Sequence, residues 1–184
     1  MIVDYDDCIE TMKQTSYDSS LNEYVTECND NVINFDKFVD KFFNYFNQTK
    51  NAPKVPPSVD VACKIDNEWF LIEFKNGYVD REQIFGKIAH SLLVLMRNEN
   101  IDITEAIASI NFILVFNKTT AFKKNKKDRK SLNKISNHMF HKASPELVFW
   151  SLKQFEGCYL KKVYTLDKEC FDEFLVNRTV EICN

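Results

Sequence analysis

The chain has 184 residues, 45% of them apolar and 14% aromatic, with only 3 Gly and 4 Pro, a composition that provides one sizeable core and excludes a disordered or linker-dominated protein. Six cysteines spread over the whole length with no C-x-x-C pair exclude a zinc ribbon and a small disulfide scaffold. The net charge of -3 argues against a protein that coats nucleic acid indiscriminately, yet the charge is polarised. Met1 to Asp36 carries nine acids and one base, and Lys118 to Lys142 carries nine bases and one acid.

The N-terminal residues show neither the basic start nor the apolar stretch of a secretory signal, and no run is long enough to span a bilayer, so a cytoplasmic location is expected. After a polar lead-in, a helix is expected over roughly Ser19 to Cys28. Phe35, Phe38, Val39, Phe42 and Phe46 then recur at helical spacing, with Asn34 placed to cap a second helix. Asn51 to Pro57 holds three of the four prolines and must be extended.

Ser58 to Asp66 reads as a strand, Asp66-Asn67 as a tight turn and Glu68 to Lys75 as the second strand of a hairpin. Asp80 to Asn98 follows as a long helix with Ile84, Lys87, Ile88, Ser91, Leu92 and Leu95 along one stripe. The apolar run Ile110 to Phe116 is a strand covered on both faces. Leu147 to Leu152 and Tyr159 to Thr165 are further strand candidates, and Asp167 caps a terminal helix reaching Leu175. The predicted order is ααββαβ, then ββα. One domain spans residues 1–184, with N-terminal helices in 1–50, a core in 58–117, a basic segment in 118–142 and terminal strands and a helix in 146–184.

Alternation along Glu68 to Lys75 puts Glu73 and Lys75 on one face and Ile72 and Phe74 on the other. A buried strand rarely spends two successive same-face positions on charges, because desolvating them costs several kcal/mol unless they are paired or bind an ion. Asp60 stands on the partner strand. Two carboxylates there supply hard oxygen ligands for Mg²⁺ or Mn²⁺, and Lys75 is placed to orient or deprotonate a water. The competing reading is a surface strand whose charges merely pair, worth about 0 to 1 kcal/mol.

The run Pro57-Ser58-Val59-Asp60, twelve residues, then Glu73-Phe74-Lys75 resembles the PD-(D/E)XK nuclease superfamily, which includes restriction-type endonucleases. No proline directly precedes Asp60, although Pro56 and Pro57 lie just upstream. The resemblance covers about half of the chain and implies an α/β, restriction-endonuclease-like core, a central mixed sheet of about four to five strands flanked by helices. It also implies Asp60, Glu73 and Lys75 as catalytic residues. Asp60 and Glu73 would hold the metal together with the main-chain carbonyl of Phe74. Accessory candidates are Glu23 or Glu27 from an early helix and Gln83 or Lys87 from the helix after the lysine.

Lys123, Lys124, Lys126, Lys127, Arg129 and Lys130 are the candidate contacts to nucleic-acid phosphates, the alternative being a solvated loop. His138 and His141 lack a third metal ligand nearby and read as surface or phosphate-contact groups. Phe149 and Trp150 read as buried, the alternative being stacking on a base. The expected function is a small Mg²⁺-dependent nuclease acting on DNA or RNA, with homodimerisation suited to double-strand cutting. The alternative is an inactive binding module of the same fold, or an inhibitor or immunity-type protein that works through a protein partner.

Overall fold

The computed structural model describes residues 3–46, 55–121, 148–176 and 178–181. Its elements in chain order begin with β1 (Ile9–Thr11), α1 (Met12–Thr15), β2 (Tyr17–Asp18), β3 (Glu23–Tyr24), β4 (Asn31–Asn34) and α2 (Phe35–Phe46). The middle comprises β5 (Val61–Ile65), β6 (Glu68–Lys75), α3 (Arg81–Glu99), α4 (Ile103–Ser109) and β7 (Ile110–Phe116). A 3-10 turn (Leu152–Phe155), β8 (Lys162–Asp167), α5 (Lys168–Leu175) and β9 (Val180–Glu181) complete them. The protein is α/β, with a mixed central sheet flanked by helices.

Six strands run across the sheet in the order β1-β4-β5-β6-β7-β8, and β9 pairs with the far end of β5. The ladders from β1 to β6 are antiparallel, and those from β6 to β8 are parallel. Alternation along β6 divides the core in two. Trp69 and Leu71 join Phe35, Phe38, Ile84 and Ile88 of α2 and α3 on one face. Phe70, Ile72 and Phe74 join Met12 of α1 and Phe171 of α5 on the other. All seven residues of β7 are buried, as expected of a strand covered on both sides.

Parallel register places Lys75 beside Phe116 and Phe116 beside Asp167, so β6, β7 and β8 end along one edge. Ligands in open α/β sheets bind outside the carboxyl ends of the strands. No helix of the described residues is long and apolar enough to cross a membrane.

Four sequence expectations need correction. Ser19 to Cys28 is not a helix, because β2 and β3 pair across a turn there. Local bonds outcompete the helix: Asp18 accepts from the amide and hydroxyl of Ser20, Asn22 adopts φ 54°, and Tyr17 lies 5.0 Å from Tyr24, ring to ring. The described part of Leu147 to Leu152 is irregular up to the 3-10 turn, with positive φ at Trp150 and Ser151, and Phe149 and Trp150 pack on the Phe116 ring but are half-buried rather than buried. The strand expected over Tyr159 to Thr165 begins only at Lys162 and runs to Asp167. The sheet has more than the expected four to five strands, because the short β1 and β4 arise within the apparent polar lead-in.

The order is therefore richer than ααββαβ then ββα, and residues 1–50 contribute strands as well as helices. α4, capped by Asp102 on the Glu105 amide, is a further addition. The α2 helix, α3, β7 and the Asp167-capped α5 form where the sequence puts them, and Asn34 accepts from the Lys37 amide at 3.1 Å; the hairpin also forms, but its first strand begins at Val61 rather than Ser58, so Asp60 stands just before it.

Candidate active site

Asp60 precedes β5, and continuing the Val61-Ile72 register by one step brings it opposite Glu73. Three bonds fix this approach. The Val59 amide donates to Ser91 Oγ of α3 at 2.9 Å, the Phe35 amide donates to the Asp60 carbonyl at 2.9 Å, and the Phe74 amide donates to Asp60 Oδ2 at 2.6 Å. The Asp60 carboxylate is thus tied to the main chain between Glu73 and Lys75.

Glu73 is fully buried on the face of β6 that meets α3. Lys75 Nζ lies 2.9 Å from its Oε1, and Lys87 Nζ lies 2.8 Å from its Oε2 and 3.5 Å from Asp60 Oδ1. The Glu73 Oε1 contact with Lys75 is an ion pair only, since this buried oxygen has no hydrogen-bond partner of good geometry among the described residues. The cluster holds two carboxylates and two ammonium groups, and its formal charge is zero. Such a set avoids the several kcal/mol that one uncompensated buried charge costs.

Burial, followed by the negative charge of Glu73, raises the Asp60 carboxyl to about 8. Burial works against the Lys87 ammonium, but the carboxylates of Asp60 and Glu73 outweigh it and raise its pKa above the ordinary lysine value. A recess of about 210 Å³ opens beside the cluster, lined by Thr15, Ser16, Asp18, Asp60, Phe74 and Asn76. Asn76 bridges this recess and a second one of about 220 Å³ at the ends of β7 and β8, where Asn117, Lys118 and Lys168 also stand. Its Oδ1 accepts from Asn117 Nδ2 at 2.9 Å, while its buried Nδ2 has no hydrogen-bond partner among the described residues.

No family model matches the chain, and no curated protein or solved structure matches it either. The site therefore rests on its geometry.

That geometry brings together Asp60, Glu73, Lys75 and Lys87. It does not bring in the other accessory candidates. Glu23 is exposed on β3 and lines the second recess, and Glu27 pairs with Lys13 at 2.7 Å. Gln83 is exposed in the first turn of α3, one turn before Lys87, so at helical spacing only the later residue reaches the hairpin. Lys123, Lys124, Lys126, Lys127, Arg129 and Lys130 lie outside the described residues, as do His138 and His141.

Sequence reading missed the supporting roles of Ser91 and Asn76. For Ser91 a signal existed: with Lys87, it is a polar interruption of the otherwise apolar stripe on α3. Among the described residues no group of three His, Cys, Asp or Glu side chains gathers, so any metal here would rest on two carboxylates.

Proposed function

We propose that this chain is a divalent-metal-dependent nuclease of the PD-(D/E)XK type, with a restriction-endonuclease-like core, hydrolysing phosphodiester bonds in DNA or RNA. The observation that carries the reading is the convergence of Asp60, Glu73 and Lys75 at the carboxyl end of β6, with Glu73 wholly buried yet ionically partnered. A surface strand with incidental charges does not bury a glutamate between two lysines.

The donor set fits Mg²⁺ or Mn²⁺, which take a few carboxylates and fill the remaining positions with waters and substrate phosphate. Asp60 and Glu73 would hold the ion, and the buried Glu73 Oε1, which among the described residues has an ion pair with Lys75 but no hydrogen bond, keeps a lone pair open to it. When bound, the ion supplies a more acidic water and neutralises charge on the phosphate. The protein's own groups divide the remaining work. The Phe74 amide orients the Asp60 carboxylate, Lys75 orients the water or stabilises charge developing on a phosphate oxygen, and Ser91 holds the entering strand in place. The basic segment around Lys123 to Lys130 would neutralise the nucleic-acid backbone without reading its sequence. A small enzyme of this kind suits defence, counter-defence or mobile-element conflict.

One observation favours a second reading. With all four groups charged the cluster has a formal charge of zero, as in a fold that has given up catalysis and acts as a binding module or inhibitor of another protein. The test is Mn²⁺ titration of the full chain. The nuclease reading expects binding that Asp60→Asn abolishes. Absence of binding, with tight association to nucleic acid or a protein partner, supports the module.

A further inference from the structure

The position between the two carboxylates is taken by the chain's own cation. Lys87 Nζ lies within 3.5 Å of Asp60 Oδ1 and 2.8 Å of Glu73 Oε2, while Lys75 serves the other Glu73 oxygen. The helix carrying Lys87 is pinned: Ile84 and Ile88 on either side are fully buried, and Ser91 one turn on is bonded to Val59. The backbone therefore cannot withdraw. The side chain can, because a lysine stem is flexible and 17% of this one reaches solvent.

An ammonium and a divalent metal seek the same lone pairs, and two cations sharing the same two oxygens repel strongly in a site shielded from water. Resting on the nuclease reading, we propose that Lys87 is a built-in counter-cation that occupies the site without metal and is displaced when metal binds. It thereby sets the metal affinity. Lys75 does not play this part, since among the described residues its ion pair is with Glu73 and not with Asp60. Without Lys87, Asp60 and Glu73 would face each other with only Lys75 for compensation. Any cation able to bridge them would then bind more tightly.

The experiment is calorimetric titration of Mn²⁺ into the full chain, with Lys87→Met, Lys87→Gln, Lys87→Arg and Asp60→Asn, alongside thermal unfolding in chelator and in Mn²⁺. Lys87→Met and Lys87→Gln are expected to bind Mn²⁺ at least about tenfold more tightly than the parent chain. They should also melt lower in chelator and gain more from the metal. Lys87→Arg, which keeps the charge, should bind no more tightly than the parent. Should Lys87→Met fail to fold, Lys87→Gln carries the comparison, because its amide can still donate to Glu73. Binding seen only in the neutral variants overturns the displacement, because Lys87 of the parent chain then keeps the metal out. Mn²⁺ binding that Asp60→Asn abolishes, but that neither neutral variant strengthens, overturns the counter-cation role and leaves the nuclease reading standing. Failure of the parent and of both neutral variants to bind Mn²⁺ overturns the nuclease reading and this proposal with it.

Discussion

Glu73 has no surface in solvent and a lysine at each carboxylate oxygen, so its removal leaves two ammonium groups facing one remaining carboxylate. Breaking a buried pair from one side costs roughly 3–5 kcal/mol, and Glu73→Gln should lose about that in urea unfolding. Lys75→Met should cost much less, because Lys75 is 23% exposed and Lys87 still compensates Glu73. Equal losses in the two variants would show that the cluster does not hold Glu73 as described. Asp60 gives the pH dependence. Burial first, then Glu73, raises its carboxyl from 3.8 to about 8, so the folded chain keeps a proton that the unfolded chain has released. Stability from this group is full below about pH 4 and is lost as pH rises through about 8. Asp60 keeps a fifth of its side chain in solvent, which softens the effect. Asp60→Asn should therefore gain on the parent chain as pH rises across that window, and a stability difference independent of pH would contradict it. The raised Lys87 pKa adds a loss only above the ordinary lysine value of 10.5.

The hairpin is the element that makes the site, and its turn sets the register. Asp66 and Asn67 both adopt left-handed backbone, at φ 51° and 65°, which suits a two-residue hairpin loop. A slip of one residue would send Glu73 to the opposite face. Asn67→Ala should cost about 1–2 kcal/mol, and Asn67→Gly should be neutral or stabilising, as read by thermal unfolding. The hairpin and Glu73 were legible because period-two alternation, a turn dipeptide and a misplaced charge are local signals. Lys87 was half legible: its place in an apolar stripe marks it, but that it reaches both carboxylates depends on how α3 packs on β6. The β2-β3 hairpin was illegible as such, because two-residue strands have no period and the side-chain bonds of Asp18 mimic a helix start. The strands β1 and β4 are likewise too short to announce themselves. They depend on the edge that β5 offers to β4, and β4 in turn to β1.

Across the whole molecule, an acidic N-terminal third and a basic segment from Lys118 to Lys142 share one chain with a net charge of -3. Under the nuclease reading, the basic segment governs how affinity depends on salt. Replacing Lys123, Lys124, Lys126 and Lys127 by Gln should flatten the fall of nucleic-acid affinity with salt, by about 0.9 per lost phosphate contact on duplex DNA in a log-log plot. An unchanged slope would assign those lysines to a solvated loop. At the edge where β6, β7 and β8 end, Asn117, Lys118 and Lys168 line one recess, with Lys118 paired to Asp167 and Glu169. The central claim is that the hairpin cluster cuts phosphodiester bonds. Its most direct test incubates the full chain with Mg²⁺ or Mn²⁺ and end-labelled single- and double-stranded DNA and RNA, beside the Lys75→Ala variant, whose fold is verified by circular dichroism. Metal-dependent cleavage of at least one substrate, lost in Lys75→Ala and in chelator, is the predicted result; cleavage that survives Lys75→Ala, or none on any substrate despite bound metal, would contradict it.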